Sequence, residues 1–167
     1  MKNFTTILCS LALSVFIYSC GEPSTKEPEK ADAGKSPSTT IVNLKTIAGK
    51  TSQEVEAILG KAESTEKASP SGTPCKENPC DKSLYQSGKF EIIYINGKAD
   101  WITINNVSDH ALNDKNIELL GLPASEPAFN NPTSTIRWEA VEGINSISFF
   151  NNGSGKIDYI NIKTATK

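Results

Sequence analysis

The sequence predicts an α+β fold: two tandem helix-plus-antiparallel-hairpin repeats, with short helices packed on one face of an antiparallel sheet. Three observations predict it. From about Ile41 to Lys163 one unit recurs, most plainly in its endings, Gly97-Lys98-Ala99-Asp100-Trp101-Ile102-Thr103-Ile104 and Gly155-Lys156-Ile157-Asp158-Tyr159-Ile160-Asn161-Ile162, and a recurrence of this length reads as a supersecondary unit used twice. Each copy opens on a short run with apolar residues at helical spacing that stops at a glycine, Gly60 or Gly121. Each closes on β-branched and aromatic residues alternating with polar ones, the pattern of strands with one wet face.

The folded part is preceded by an address. The 167-residue chain begins Met1-Lys2-Asn3 and then runs from Phe4 to Tyr18 without a charge. A basic start, roughly a dozen mainly apolar residues and a small residue at the end are the layout of an export signal. The run is shorter than the about 20 residues of a membrane span, and Gly21-Glu22-Pro23 ends it, so residues 1–19 are expected to be a signal peptide. Ile17-Tyr18-Ser19-Cys20 resembles a bacterial lipobox, with an aliphatic residue three before the cysteine and a small one directly before it. The resemblance implies a thioether lipid and an N-acyl chain on Cys20, and more than one acyl chain is what stable anchoring needs. The chain has four cysteines, Cys9, Cys20, Cys75 and Cys80. Cleavage would leave an odd number in an oxidising compartment, and lipidation of Cys20 would use the odd one, leaving Cys75 and Cys80 to pair.

Residues 20–43 are expected to be the lipidated cysteine and a disordered tether. From Gly21 to Thr40 there is no Val, Ile, Leu, Met or aromatic residue, too little apolar area to offset the entropy of ordering. Pro23, Pro28 and Pro37 stiffen it. No Asp follows Cys20 directly, which leans the expected address toward the outer membrane. Lys plus Arg number 17 and Asp plus Glu 19, a net charge of −2; with no basic face evident, nucleic acid is not expected as a partner.

The first repeat is placed at residues 44–107 and the second at 108–167. In the first, Thr51-Ser52-Gln53-Glu54 is a capping box, and Val55, Ile58 and Leu59 form one apolar helical face ending at Gly60. In the second, Asn113 or Asp114 can cap a helix whose Ile117 and Leu120 face inward before Gly121 and Pro123. Strands are predicted at Phe90–Ile95, Trp101–Asn105, Ile144–Phe150 and Lys156–Lys163, with weaker first strands at Lys82–Gln86 and Thr133–Glu139. Asn96-Gly97 is a strong hairpin turn, and Asn151–Gly155 its longer counterpart. The expected core is Val55, Ile58, Leu59, Ile102, Ile104, Ile117, Leu120, Ile147, Phe149, Ile160 and Ile162.

The capped helix Gly49–Lys61, a variable loop and hairpin strands around an Asn-Gly-Lys turn resemble the small outer-membrane lipoproteins of the SmpA/OmlA (BamE) type. In tandem the unit resembles the β-lactamase inhibitory protein fold. The resemblance covers about Ile47–Asn105 well and Asp109–Lys163 less well; the Ser/Pro/Cys-rich loop around Cys75 departs from it. It implies a helix layer on an antiparallel sheet, no catalysis, and partner binding through the exposed sheet face and loops.

Few residues promise chemistry. Cys75-Lys76-Glu77-Asn78-Pro79-Cys80 is expected to close a small disulfide ring; four spacers do not fit a Cys-x-x-Cys redox motif, and a second cysteine pair for zinc is lacking. His110, the sole histidine, sits beside Asp109 as a loop or cap residue. Asp100 and Asp158 recur at matched places and read as structural turn residues. No nucleophile elbow, phosphate loop or metal-binding helix is present. Alternation puts Trp101 and Tyr159 at equivalent places on the open sheet face, with Phe150, Tyr85 and Arg137 as further candidates; aromatic and Arg residues are enriched in interface hot spots. The same aromatics could instead simply cover the sheet.

These readings converge on a non-enzymatic, lipid-anchored cell-envelope protein that binds a protein partner, in assembly or inhibition, with the membrane as its second partner and no cofactor or metal. A small-ligand carrier or weakly recognisable enzyme, and a purely structural envelope component, are the alternatives.

Overall fold

Helix α1 (Ser52–Leu59) starts where the capping box places it. The Thr51 hydroxyl accepts from the Glu54 N–H at 3.4 Å, and the Glu54 carboxylate accepts from the Thr51 N–H at 2.8 Å. The Thr51 hydroxyl also donates to that carboxylate at 2.9 Å, and the bonds from the Thr51 backbone and side chain hold the Glu54 carboxyl below its ordinary range. Gly60 ends the helix at φ +90°. The structure is a computed structural model and describes residues 39–68, 75 and 80–166, all within the unit Ser36–Lys167. The signal peptide, Cys20 and the tether up to residue 38 lie outside the described residues. No helix among the described residues is long and apolar enough to cross a membrane.

The expectation of two helix-plus-hairpin repeats is overturned. The described residues form one eight-stranded antiparallel sheet carrying a single α-helix. Its strands are β1 (Ser64–Lys67), β2 (Cys80–Tyr85), β3 (Phe90–Ile95), β4 (Lys98–Ile104), β5 (Phe129–Asn131), β6 (Thr135–Val141), β7 (Ile144–Asn151) and β8 (Ile157–Lys163). They lie in the order β1-β2-β3-β4-β8-β7-β6-β5, two four-stranded meanders meeting at β4 and β8. The second expected helix is a 3-10 turn, Asn116–Leu120. The Asn116 side chain explains why: it accepts from the Asn113 N–H at 2.6 Å and donates to the Ala111 carbonyl at 3.1 Å. Such local side-chain bonds compete with the helical ladder, and five residues are too few to propagate one. Gly121 ends the turn at φ +68°, and a Cβ there would lie 3.2 Å from Asn43 Cα.

Two strands escaped the sequence reading, and both are edges. β1 is exposed at all four residues and β5 at all three, so neither shows an apolar alternation. Short, polar or charged edge strands discourage pairing with another chain.

One face of the sheet is buried. Tyr85, Phe90, Ile92, Ile102, Ile104, Ile136, Trp138, Ile147, Phe149, Ile160 and Ile162 point to it, under Leu44, Ile47, Val55, Leu59, Ile117 and Leu120 from the helical turns. Trp138 meets Phe149 edge-on, ring centroids 5.4 Å apart, and its indole N–H donates to the Ser125 carbonyl at 2.8 Å. The expected core residues occupy this layer with one exception: Ile58 is 50% exposed. A two-turn helix meets the sheet along one narrow line, Val55 and Leu59, and Ile58 lies about 100° around the axis from Leu59.

The Asn96-Gly97 turn joins β3 to β4 with φ of +52° and +74°, the doubly left-handed geometry that fits the strand twist. In the longer β7–β8 connection the Asn151 and Asn152 side chains accept from the backbone of Gly153, Ser154, Gly155 and Lys156.

Candidate functional site

The opposite face of the sheet is the candidate site, and two β-bulges aim its aromatic residues. In β4, Ala99 pairs with Tyr94 and Trp101 with Ile93, so Asp100 is an extra residue without a partner on β3. In β8, Ile157 pairs with Asn151 and Ile160 with Phe149, so Asp158 and Tyr159 together oppose Phe150. The recurring Asp-aromatic pair thus marks a bulge in both strands, a feature that re-aims side chains. The inward phase of Ile102/Ile104 and Ile160/Ile162 then puts Trp101, Thr103, Tyr159 and Asn161 on the outer face.

The two matched positions have different surroundings. At the β2–β4 end, Cys75 and Cys80 are joined, Cα atoms 5.7 Å apart, and pack with Ile93 and Ile95; Ala68 and Trp101 lie against this cluster. The disulfide therefore roofs part of the outer face. Trp101 donates its indole N–H to the Thr166 hydroxyl, and the Lys163 ammonium sits 4.6 Å from its ring centroid. At the β6–β8 end, Phe150 stacks on Tyr159 with centroids 4.5 Å apart and planes 19° from parallel. Between Phe150 and Lys163 the face opens into a groove of about 620 Å³ lined by Arg137, Glu139, Ala140, Asn145, Ser146, Ser148, Phe150, Asn161 and Lys163.

Charges on this face are partly matched. Lys82 contacts Glu66 at 2.8 Å and Glu91 at 3.9 Å; the bond to Glu66 and the field of Glu91 raise its pKa. Arg137 Nε lies 3.1 Å from Glu139, and its guanidinium carbon is 5.9 Å from the Phe129 ring.

Of the proposed binding residues, Trp101, Tyr159, Phe150 and Arg137 lie on the outer face, and Tyr85 does not. Cys80 joins the outward cluster with Ile93 and Ile95, so period two sends Ser83 and Tyr85 inward. Tyr85 is fully buried and its hydroxyl is 2.7 Å from that of Tyr94. Burial, and then the bond to Tyr85, push the Tyr94 hydroxyl far above the ordinary 10.0. Asp100 is structural: its carboxylate accepts from the Ala165 and Thr166 N–H groups and the Thr166 hydroxyl at 3.2, 3.2 and 2.9 Å. Asp158 is exposed. The His110 backbone ties the turn before Ala111 to Val107 and Ile157. Cys20 lies outside the described residues.

Lys163, Ser146 and Ser148 were missed as site residues. The alternation about Ile147 and Ile162 is the signal that carries them, but short polar side chains on a strand look like any solvated face. On the inner side, a smaller cavity of about 130 Å³ is lined by Ser52, Glu56, Thr65, Asp81, Ser83, Tyr94 and Gly97, below the 300 Å³ or so of a small-molecule site. No family model, curated protein or solved structure matches this chain.

Proposed function

We propose that this chain is a non-enzymatic, lipid-anchored protein of the cell envelope whose outer sheet face docks a partner protein, in assembly or inhibition. One observation carries the reading. One face of an eight-stranded sheet carries the core, while the other is left open over β6, β7 and β8, with Phe150, Tyr159, Arg137 and Lys163 on it and Trp101 beside it on β4. Trp, Tyr and Arg are the residue types enriched among interface hot spots, and a rigid sheet presents them at low entropic cost. The residues gathered there suit binding rather than proton or group transfer. The address rests on the apolar start of the chain and the lipobox-like Ile17-Tyr18-Ser19-Cys20, with Cys20 acylated and the tether spacing the fold from an outer-membrane surface.

The test is crosslinking from a photoreactive residue at position 159 or 150 in intact envelopes, followed by affinity capture. A discrete protein adduct from both, absent from a probe at exposed Ile58, is the expected result. Equal, diffuse labelling from all three positions would defeat the reading. For the anchor, Cys20→Ala is expected to release the chain from membranes; a variant still acylated and membrane-bound would remove Cys20 as the lipid site.

A further inference from the structure

We propose that the groove over β6, β7 and β8 receives an acidic side chain carried beside an apolar residue on a segment of the docked protein. This rests on the reading of the outer face as a docking surface and names the chemistry of what docks there. At about 620 Å³ the groove is in the range of sites that enclose a few side chains. Ser146, Ser148 and Asn161 give it a low floor of hydroxyl and amide groups, which bond donors and acceptors alike.

Charge decides the occupant. Two cations, Arg137 and Lys163, border the groove against one carboxylate, Glu139. Arg137 meets Glu139 through Nε, which leaves the two terminal amino groups of the guanidinium for another acceptor. Lys163 has an aromatic ring beneath it and no carboxylate within ion-pair distance among the described residues. The ring attracts the ammonium without supplying a counter-charge, so the groove offers an incoming carboxylate a partner at this edge. The other half of the face is different: there Lys82 lies between two carboxylates, Glu66 and Glu91, which leaves an excess of negative charge. Phe150 ends the groove with an apolar ring, the place for the neighbouring apolar residue. A glycan fits less well, because Phe150 and Tyr159 lie against each other at 4.5 Å and each has one ring face already covered.

The test uses the isotopically labelled full chain and three probes: acetyl-Phe-Glu-Phe-amide, its Gln counterpart and chitotriose. Amide shifts at residues 146, 148 and 161 are followed by NMR. The acidic peptide is expected to move these signals, with affinity about tenfold above the Gln peptide, the ratio that 1.4 kcal/mol gives. Lys163→Gln and Arg137→Gln are each expected to weaken it several-fold while the remaining spectrum stays in place. Equal affinity for the Gln peptide, no shift with any probe, shifts centred on Lys82, or shifts with chitotriose in place of the acidic peptide would each overturn the inference. Adducts from positions 159 and 150 in envelopes that survive Lys163→Glu would overturn it while leaving the docking face standing; loss of adducts in the unsubstituted chain would remove both.

Discussion

Thr103 on β4 lies directly opposite Asn161 on β8, with the Asn161 amide nitrogen 3.5 Å from the Thr103 hydroxyl. The two residues hold the same place in the runs Gly97–Ile104 and Gly155–Ile162. On either side the partners exchange: Ile102 faces Ile162 and Ile104 faces Ile160. A local twofold axis therefore passes between Thr103 and Asn161. The recurring sequence is expressed as self-complementary pairing of β4 with β8 at the middle of one sheet, rather than as two helix-plus-hairpin units side by side.

The Asp100 bulge anchors the turn after β8. Asp100→Ala removes three hydrogen bonds to one carboxylate oxygen, and bonds to charged groups contribute about 1.5–3 kcal/mol each at most, with strong non-additivity. A loss of about 2 kcal/mol in urea unfolding is expected, with faster hydrogen exchange at residues 164–166. Asp158→Ala, at the matched but exposed position, is expected to change stability by less than about 0.5 kcal/mol.

The buried Tyr85–Tyr94 pair predicts both a coupling and a pH dependence. Removing one hydroxyl leaves the other unpaired, so Tyr85→Phe and Tyr94→Phe are each expected to cost about 1–2 kcal/mol, and the double variant less than their sum. Because the folded Tyr94 pKa is raised, its contribution is complete below the unfolded value of 10.0. Above that pH the unfolded chain releases the proton and the native chain keeps it. Stability should then fall by up to about 1.4 kcal/mol per pH unit, with a shallower fall in Tyr94→Phe. Identical slopes in the two proteins would contradict this.

The Cys75–Cys80 ring is small, so replacing both cysteines by serine is expected to cost less than the about 3 kcal/mol assigned to a 15-residue loop. Its larger effect is local. With the roof loosened, Ile93, Ile95 and Trp101 gain water, seen as a red shift of Trp101 emission against buried Trp138 and as stronger binding of a hydrophobic dye. An unchanged emission maximum would show that the disulfide does not cover this patch.

Thr51→Ala breaks the capping box, and a loss of about 1 kcal/mol is expected by thermal or urea unfolding; Thr51→Ser should retain most of it.

The sequence made the central strands legible because their alternation of Ile with polar residues is strict, and made α1 legible through Thr51 and Glu54. It left β1 and β5 unread, since an edge strand exposed on both faces has no apolar period. It misplaced Tyr85, because the phase of β2 is set by Cys80 turning outward onto Ile93 and Ile95, a contact between distant residues. It overstated the second helix, because nothing in Asn113–Asn116 announces that the Asn116 side chain will take the backbone bonds. On the candidate site, Trp101, Phe150, Tyr159 and Arg137 were readable from strand phase. The inequality between the two halves of the face was not, since it depends on where the disulfide and Lys163 sit.

The most direct measurement is capture of envelope proteins by the chain and by its Phe150→Ala/Tyr159→Ala variant, paired with urea unfolding of each. Docking through the outer face predicts that the variant loses its partner while still unfolding in one cooperative transition, its stability lowered by the aromatic pair's about 0.5–1.5 kcal/mol plus the area the two half-buried rings cover. A variant that captures the same partner with undiminished yield, or one that loses it only by unfolding, would contradict that account.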